Sequence, residues 1–123
     1  TVFHGSSEAN ILSILRSGLK VSPPSTAYIA GKMYGNGTYG ALDSSKSLGY
    51  TMGRWGTAKG PSGWLFICQF ALGKVFEPTT QRGNPPKGYD STWAKAKKTG
   101  LYHDELIVYS EAQIKITHLL ECK

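Results

Sequence analysis

Apolar residues recur along this chain at two spacings, and each spacing predicts a kind of element. In EANILSILRSG, Ile11, Ile14, Leu15 and Leu19 fall at helical intervals. Ser6 and Ser7 offer N-caps ahead of them and Gly18 a stop, so a first short helix is expected here. GWLFICQFALG, Gly63 to Gly73, sets Trp64, Phe66, Cys68 and Phe70 against Leu65, Ile67 and Ala71. Apolar residues on both faces predict a strand in the middle of a sheet. IKITHLLEC alternates Ile114, Ile116, His118, Leu120 and Cys122, a half-buried strand near the end. ELIVY, Glu105 to Tyr109, reads as a strand, with Thr1 to His4 and Lys74 to Phe76 as shorter ones. Asp43 caps an expected second helix in SSKSLGYTM, stopped by Gly53. Leu19 to Lys32 reads as a strand end and then a loop around Pro23-Pro24, and Glu77 to Gly100 as a long polar loop with functional potential. The sum is an α+β fold, a mainly antiparallel sheet with two short helices.

Size and composition narrow this picture. The chain has 123 residues, room for a single domain over residues 1–123 and one core. Apolar residues make up 40% and aromatics 11%, a packed globule rather than a disordered chain. Fourteen Lys and Arg against eight Asp and Glu leave a formal charge of +6, which favours polyanions without selecting among them. Cys68 and Cys122 lie too far apart for metal spacing, so no metal site is expected; Cys68 reads as a buried thiol, and nothing demands a disulfide. No long uncharged apolar stretch predicts a membrane span, and no signal peptide stands at the start. The chain opens on TVFHG without a methionine, as a piece cut from something longer would.

Gly35, Gly37 and Gly40 fit G-x-G-x-x-G, a spacing that cradles a dinucleotide pyrophosphate only between a strand and a helix, with an acidic residue about 20 positions on. The upstream SPPSTAYIAGK is a loop, and no Asp or Glu appears between Asp43 and Glu77. The dinucleotide-fold reading fails on context, which leaves a glycine-rich turn feeding a short strand.

Three ordered segments carry a different signal: FHGSS at Phe3 to Ser7, GNGTYGALDSSKSLGY at Gly35 to Tyr50, and DELIVYSEAQIKITHLLE at Asp104 to Glu121. Together they resemble the catalytic domain of poly(ADP-ribose) polymerase-like ADP-ribosyltransferases, the diphtheria-toxin-like branch with a His-Tyr-Glu triad. NILSILRSGLKVSPP, LFICQFALGKVFE and PPKGYDST are similar to family sequence too, so the likeness covers nearly the whole chain. It implies a split, mainly antiparallel sheet around an NAD+ cleft. NAD+ is then a substrate, and the glycine spacing is incidental.

The chemistry to be served is cleavage of the nicotinamide–ribose bond, in which positive charge builds on the ribose as in glycoside cleavage. By resemblance Glu105 is the carboxylate that bonds the nicotinamide-ribose 2′-OH; an anion beside that developing charge stabilises it. His4 would bind the adenosine-ribose 2′-OH. Gly5 and Ser6, in the same turn, and the Ser47 hydroxyl would hold the carboxamide side. Tyr39 and Tyr50 would edge the nicotinamide ring. Lys20 stands where a basic residue often meets the adenosine and phosphates. Read singly, each has a plain structural alternative: a satisfied histidine, an exposed helix serine, core tyrosines, a solvated lysine.

The acceptor is less determined. His103, two residues before Glu105, replaces the second acid of the arginine-modifying branch, so arginine is not the expected acceptor. The stretch between Phe76 and Leu101 is short beside that of chain-elongating relatives, which implies mono- rather than poly-transfer. The family's regulatory helical region does not precede the chain, so the likeness is to an excised domain or to a minimal transferase like those of bacterial toxins. Such a transferase would act in cytosol or nucleus, be delivered as part of a larger effector, meet a cognate inhibitor, and work as a monomer. Arg54, Lys59, Arg82, Lys87, Lys95, Lys97 and Lys98, interleaved with Trp55, Tyr89 and Trp93, keep RNA or DNA beside protein as acceptor; a solvated basic surface is the competing reading. An NAD+ glycohydrolase and an inactive NAD- or ADP-ribose-binding module are the alternative functions.

Overall fold

The apolar run around Cys68 becomes the strand on which one half of the sheet is built. The computed structural model describes residues 1–6, 8–21, 33–44, 63–79, 83–101 and 103–122. In it β3 (Gly63–Phe70) runs between β1 (Val2–Ser6) and β7 (Ile114–Cys122). It pairs antiparallel with β1 from Val2↔Cys68 to Ser6↔Trp64, and with β7 from Gly63↔Cys122 to Phe70↔Ile114. Val2, Phe66 and Cys68 are fully buried there with Leu106, and Ile11 and Leu19 cover them from the first helix and its exit. That helix, α1, is Glu8–Ser17, and Gly18 (φ 77°) ends it by donating its N–H to the Ile14 carbonyl at 2.7 Å. Burial pushes the free Cys68 thiol up to about 11, so it is an inert core group.

The other half consists of β2 (Thr38–Ala41), β4 (Val75–Phe76), β5 (Ser91–Ala94) and β6 (Glu105–Val108). The whole sheet has seven strands in the order β4-β5-β6-β2-β1-β3-β7, antiparallel except for β4–β5. This is the expected mainly antiparallel α+β architecture. Tyr34, Ala94 and Ile107 form a second buried cluster, with Tyr39, Leu101 and Tyr109 packed against it. Two glycines explain how closely β2 sits to its neighbours. A Cβ on Gly40 would meet Val2 Cγ2 at 2.6 Å, and one on Gly37 would meet the Val108 carbonyl oxygen at 2.6 Å. Close approach, not a phosphate cradle, accounts for both.

Three expectations need correction. The stretch from Glu77 to Gly100 is not one loop, since it supplies β5 and a short helix, α2 (Ala96–Thr99). β5 is buried although its sequence, STWA, is half hydroxylic; Thr92 escapes the cost of burial through a 2.8 Å hydrogen bond with the Tyr109 hydroxyl. The alternation of β7 breaks at a bulge: Ile67 faces His118 but Cys68 faces Ile116, leaving Thr117 over. One extra residue moves later side chains to the other face, so Ile114, Ile116 and Leu119 meet the core while His118 and Leu120 are exposed. On α1, Leu15 points out rather than into the core. The helix expected in SSKSLGYTM and the loop around Pro23-Pro24 lie outside the described residues.

Candidate active site

The two halves of the sheet meet at the β1–β2 seam, and there the ladder almost stops. Among the described residues a single pair, Phe3↔Ala41, joins these strands. Continuing that register would bring Gly5 opposite Tyr39, yet no ladder pair forms there. Instead the His4 imidazole stands between the strands, its Nδ1 donating to the Tyr39 carbonyl at 2.7 Å. A side-chain hydrogen bond thus stands beside the single backbone rung of this seam. The carbonyl can only accept, so Nδ1 carries the proton in the neutral ring and Nε2 keeps its lone pair. Burial pushes the His4 pKa down, opposed by the bond to Tyr39, and holds the ring neutral.

The same row of the sheet reaches Glu105. Phe3 pairs with Ala41, Ala41 with Glu105, and Glu105 with Ala94. At the usual spacing of adjacent strands, Glu105 therefore sits about 10 Å from β1, with only β2 between. It is 7% exposed, a carboxylate largely withdrawn from water at the mouth of the seam. Two register steps along β2 from Ala41 is Tyr39, on the same face. First and last thirds of the sequence are thus brought together, and His4, Tyr39 and Glu105 occupy adjacent strands.

Tyr39 is held through its hydroxyl, which donates to the Gly35 carbonyl (2.9 Å) and accepts from the Tyr34 N–H (2.8 Å). Burial raises its pKa far above the ordinary 10.0, the Tyr34 bond pulls it back, and Tyr109 and Glu105 push it up again. The phenol is therefore a fixed neutral strut, and what it offers a ligand is its ring. Tyr109 ties the same turn from the other side, donating to the Tyr34 carbonyl at 2.7 Å.

The remaining expected residues fall into three groups. Gly5 and Ser6 are buried in β1 beside the seam, opposite Leu65 and Trp64 on β3. Lys20 is exposed and ion-paired with Glu111 at 3.4 Å, in the turn before β7. Ser47, Tyr50, Arg54, Trp55, Lys59 and Arg82 lie outside the described residues. Of the basic and aromatic loop residues, Lys95 and Lys98 are engaged by Glu77, at 2.6 and 2.9 Å, which holds that carboxyl below its usual range. Lys95 also covers the Trp93 ring at 4.5 Å, and Tyr89 meets Phe76 edge-on at 5.2 Å under Lys74. These rings are packed rather than presented.

Asp104 is a site neighbour that the sequence reading passed over. Its Oδ1 accepts from the Ala96 N–H at the start of α2 (2.9 Å), and its Oδ2 accepts from the Trp93 indole (3.1 Å). The Ala96 bond chiefly keeps its pKa low against the opposing effect of burial. Asp104 thereby fixes β5 and α2 alongside Glu105. Its only signal in the sequence was adjacency, in DELIVY.

Comparison with known proteins gives the family. A profile of the poly(ADP-ribose) polymerase catalytic domain matches residues 1–123. Poly [ADP-ribose] polymerase 1 of Arabidopsis thaliana is 31% identical over 152 aligned positions, covering 99% of this chain but 15% of the plant protein. A poly [ADP-ribose] polymerase-like protein of Invertebrate iridescent virus 6 is 30% identical over 97% of this chain and 68% of its own length. Protein mono-ADP-ribosyltransferase PARP3 of Gallus gallus is 27% identical, over 98% of this chain and 28% of its own. The chain thus spans about 15% of the plant relative. The chain belongs to the poly(ADP-ribose) polymerase catalytic-domain family of ADP-ribosyltransferases.

Proposed function

We propose that this chain cleaves NAD+ at the nicotinamide–ribose bond and transfers a single ADP-ribose to a protein acceptor, with His4, Tyr39 and Glu105 as the residues that hold and activate it. One observation carries the reading: a largely buried carboxylate, Glu105, lies on β6, with only β2 between it and the His4 imidazole that bonds the Tyr39 carbonyl across the seam. The fit to NAD+ is chemical. His4 Nε2 is an acceptor suited to a ribose hydroxyl, and the Gly5 backbone, paired with Leu65 on β3 but with no partner on β2, suits the donor and acceptor of a carboxamide. The Tyr39 ring supplies a flat apolar wall for nicotinamide. When NAD+ is bound, its pyridinium is the leaving group. Glu105 then faces the ribose where positive charge develops, and its interaction strengthens as that charge grows. In a site that excludes water this attraction is little screened.

Mono-transfer is supported by what occupies residues 77–100. Much of that stretch is consumed by β5 and α2, which Asp104 locks in place. Protein is favoured over nucleic acid because Glu77 engages both Lys95 and Lys98, and Asp43 and Glu105 place carboxylates along the same row of β2 and β6. The test is incubation with adenylate-labelled NAD+ and separate protein, RNA and DNA pools, with Glu105→Gln as control. Single-unit label on protein that vanishes in the variant is expected. Label on RNA or DNA reassigns the acceptor, free ADP-ribose alone makes the chain a glycohydrolase, and uncleaved NAD+ contradicts the proposal.

A further inference from the structure

Beside Glu105 the structure holds a second pair of ionisable groups that this reading does not use. His103 Nδ1 lies 3.5 Å from Asp43 Oδ2, and both side chains are about half exposed. The placement follows from register. The β2–β6 ladder ends at Ala41↔Glu105, and two residues further along the same register Asp43 falls opposite His103. Alternation along a strand puts residues two apart on one face, about 7 Å from each other. The pair therefore extends the Glu105 row toward solvent.

We propose that His103, oriented by Asp43, is the general base that deprotonates the acceptor, and that the acceptor nucleophile is an aliphatic hydroxyl of a seryl or threonyl side chain. This rests on the transferase reading above. The Asp43 carboxylate lies on the Nδ1 side and faces the imidazolium that forms, leaving Nε2 to take a proton, the division of labour of a carboxylate–histidine pair. In the transfer step the hydroxyl oxygen forms a bond to ribose C1′, and the C1′–nitrogen bond breaks with its electron pair leaving on nicotinamide. The hydroxyl proton passes to His103 Nε2 and from there to water.

Other nucleophiles suit the pair less well. A carboxylate arrives already deprotonated and meets Asp43 and Glu105. A guanidinium keeps its proton above pH 12, beyond an imidazole's reach. The hydroxyl is the nucleophile that gains most from an imidazole base.

The test uses the full chain, labelled NAD+ and methanol or trifluoroethanol as surrogate hydroxyls, reading alkyl ADP-ribose, with NAD+ affinity measured alongside. His103→Ala is expected to bind NAD+ as the parent does and to lose about 10²-fold in transfer to methanol. The loss should be smaller for the more acidic trifluoroethanol, and added imidazole should restore part of it. Asp43→Asn is expected to lose less, in the same direction. A merely structural role would change both alcohols alike and would not respond to imidazole; that outcome overturns the proposal. So does a variant that matches the parent. In peptides with one serine, arginine, glutamate or cysteine, modification confined to serine supports the assignment, whereas modification of a different residue, or of RNA instead of peptide, overturns it. If the parent releases no nicotinamide, the transferase reading fails first and takes this one with it.

Discussion

The β1–β3–β7 half and the β1–β2 seam use the same strand in opposite ways. On one edge β1 is paired along its whole length with β3, over a core of Val2, Phe66 and Cys68. On the other edge it touches β2 at one rung and then gives way to an imidazole. The first edge provides rigidity and the second provides room. Side chains placed on paired strands hold their geometry. The difference teaches that the candidate site coincides with an interruption of the ladder.

The sharpest way to break the comparison is to damage its rigid side. Phe66→Ala empties a fully buried position and should cost about 3–5 kcal/mol of stability, measured by denaturant unfolding. Loss of NAD+ binding should follow from unfolding and disappear once a stabilising temperature is chosen. Damage to the seam should be milder in stability and specific in binding. Tyr39→Phe keeps the ring but strands the Tyr34 N–H and the Gly35 carbonyl; about 1–3 kcal/mol is expected, with weaker NAD+ affinity measured by calorimetry.

A smaller effect separates the two edges by pH. The His4 pKa lies below its ordinary 6.5 in the folded state. The unfolded chain therefore binds more protons as pH falls below about 6.5, so stability is full above that value and declines below it toward the folded pKa. Thermal unfolding from pH 7.5 to 5 should show this decline, reduced in His4→Gln. NAD+ affinity should hold through pH 6.5, because the ring stays neutral there.

Much of the rigid half was legible because burial on both faces writes itself as an apolar run, as in WLFICQF. α1 was legible from its period and from Gly18. β5 was not, since Ser91 and Thr92 are buried by pairing with β6 and by Tyr109, partners that lie far along the chain. The β7 bulge was equally hidden, because one surplus residue, Thr117, leaves no mark on composition. His4, Tyr39 and Glu105 were singled out through ordered motifs rather than periodicity, and register sets them on three adjacent strands. The His4–Tyr39 bond across the seam, the Asp104 anchor and the His103–Asp43 pair required coordinates, since each joins residues whose proximity depends on register.

The most direct test of the central claim, that both ends of the chain converge on one nicotinamide riboside, is single-turnover NAD+ cleavage by Glu105→Gln alongside its NAD+ affinity. The account predicts a rate lower by about 10²–10³-fold, since the lost charge acts mainly as the bond breaks. Affinity should change by no more than about threefold. Equal losses in both quantities, or an unchanged rate, would contradict it.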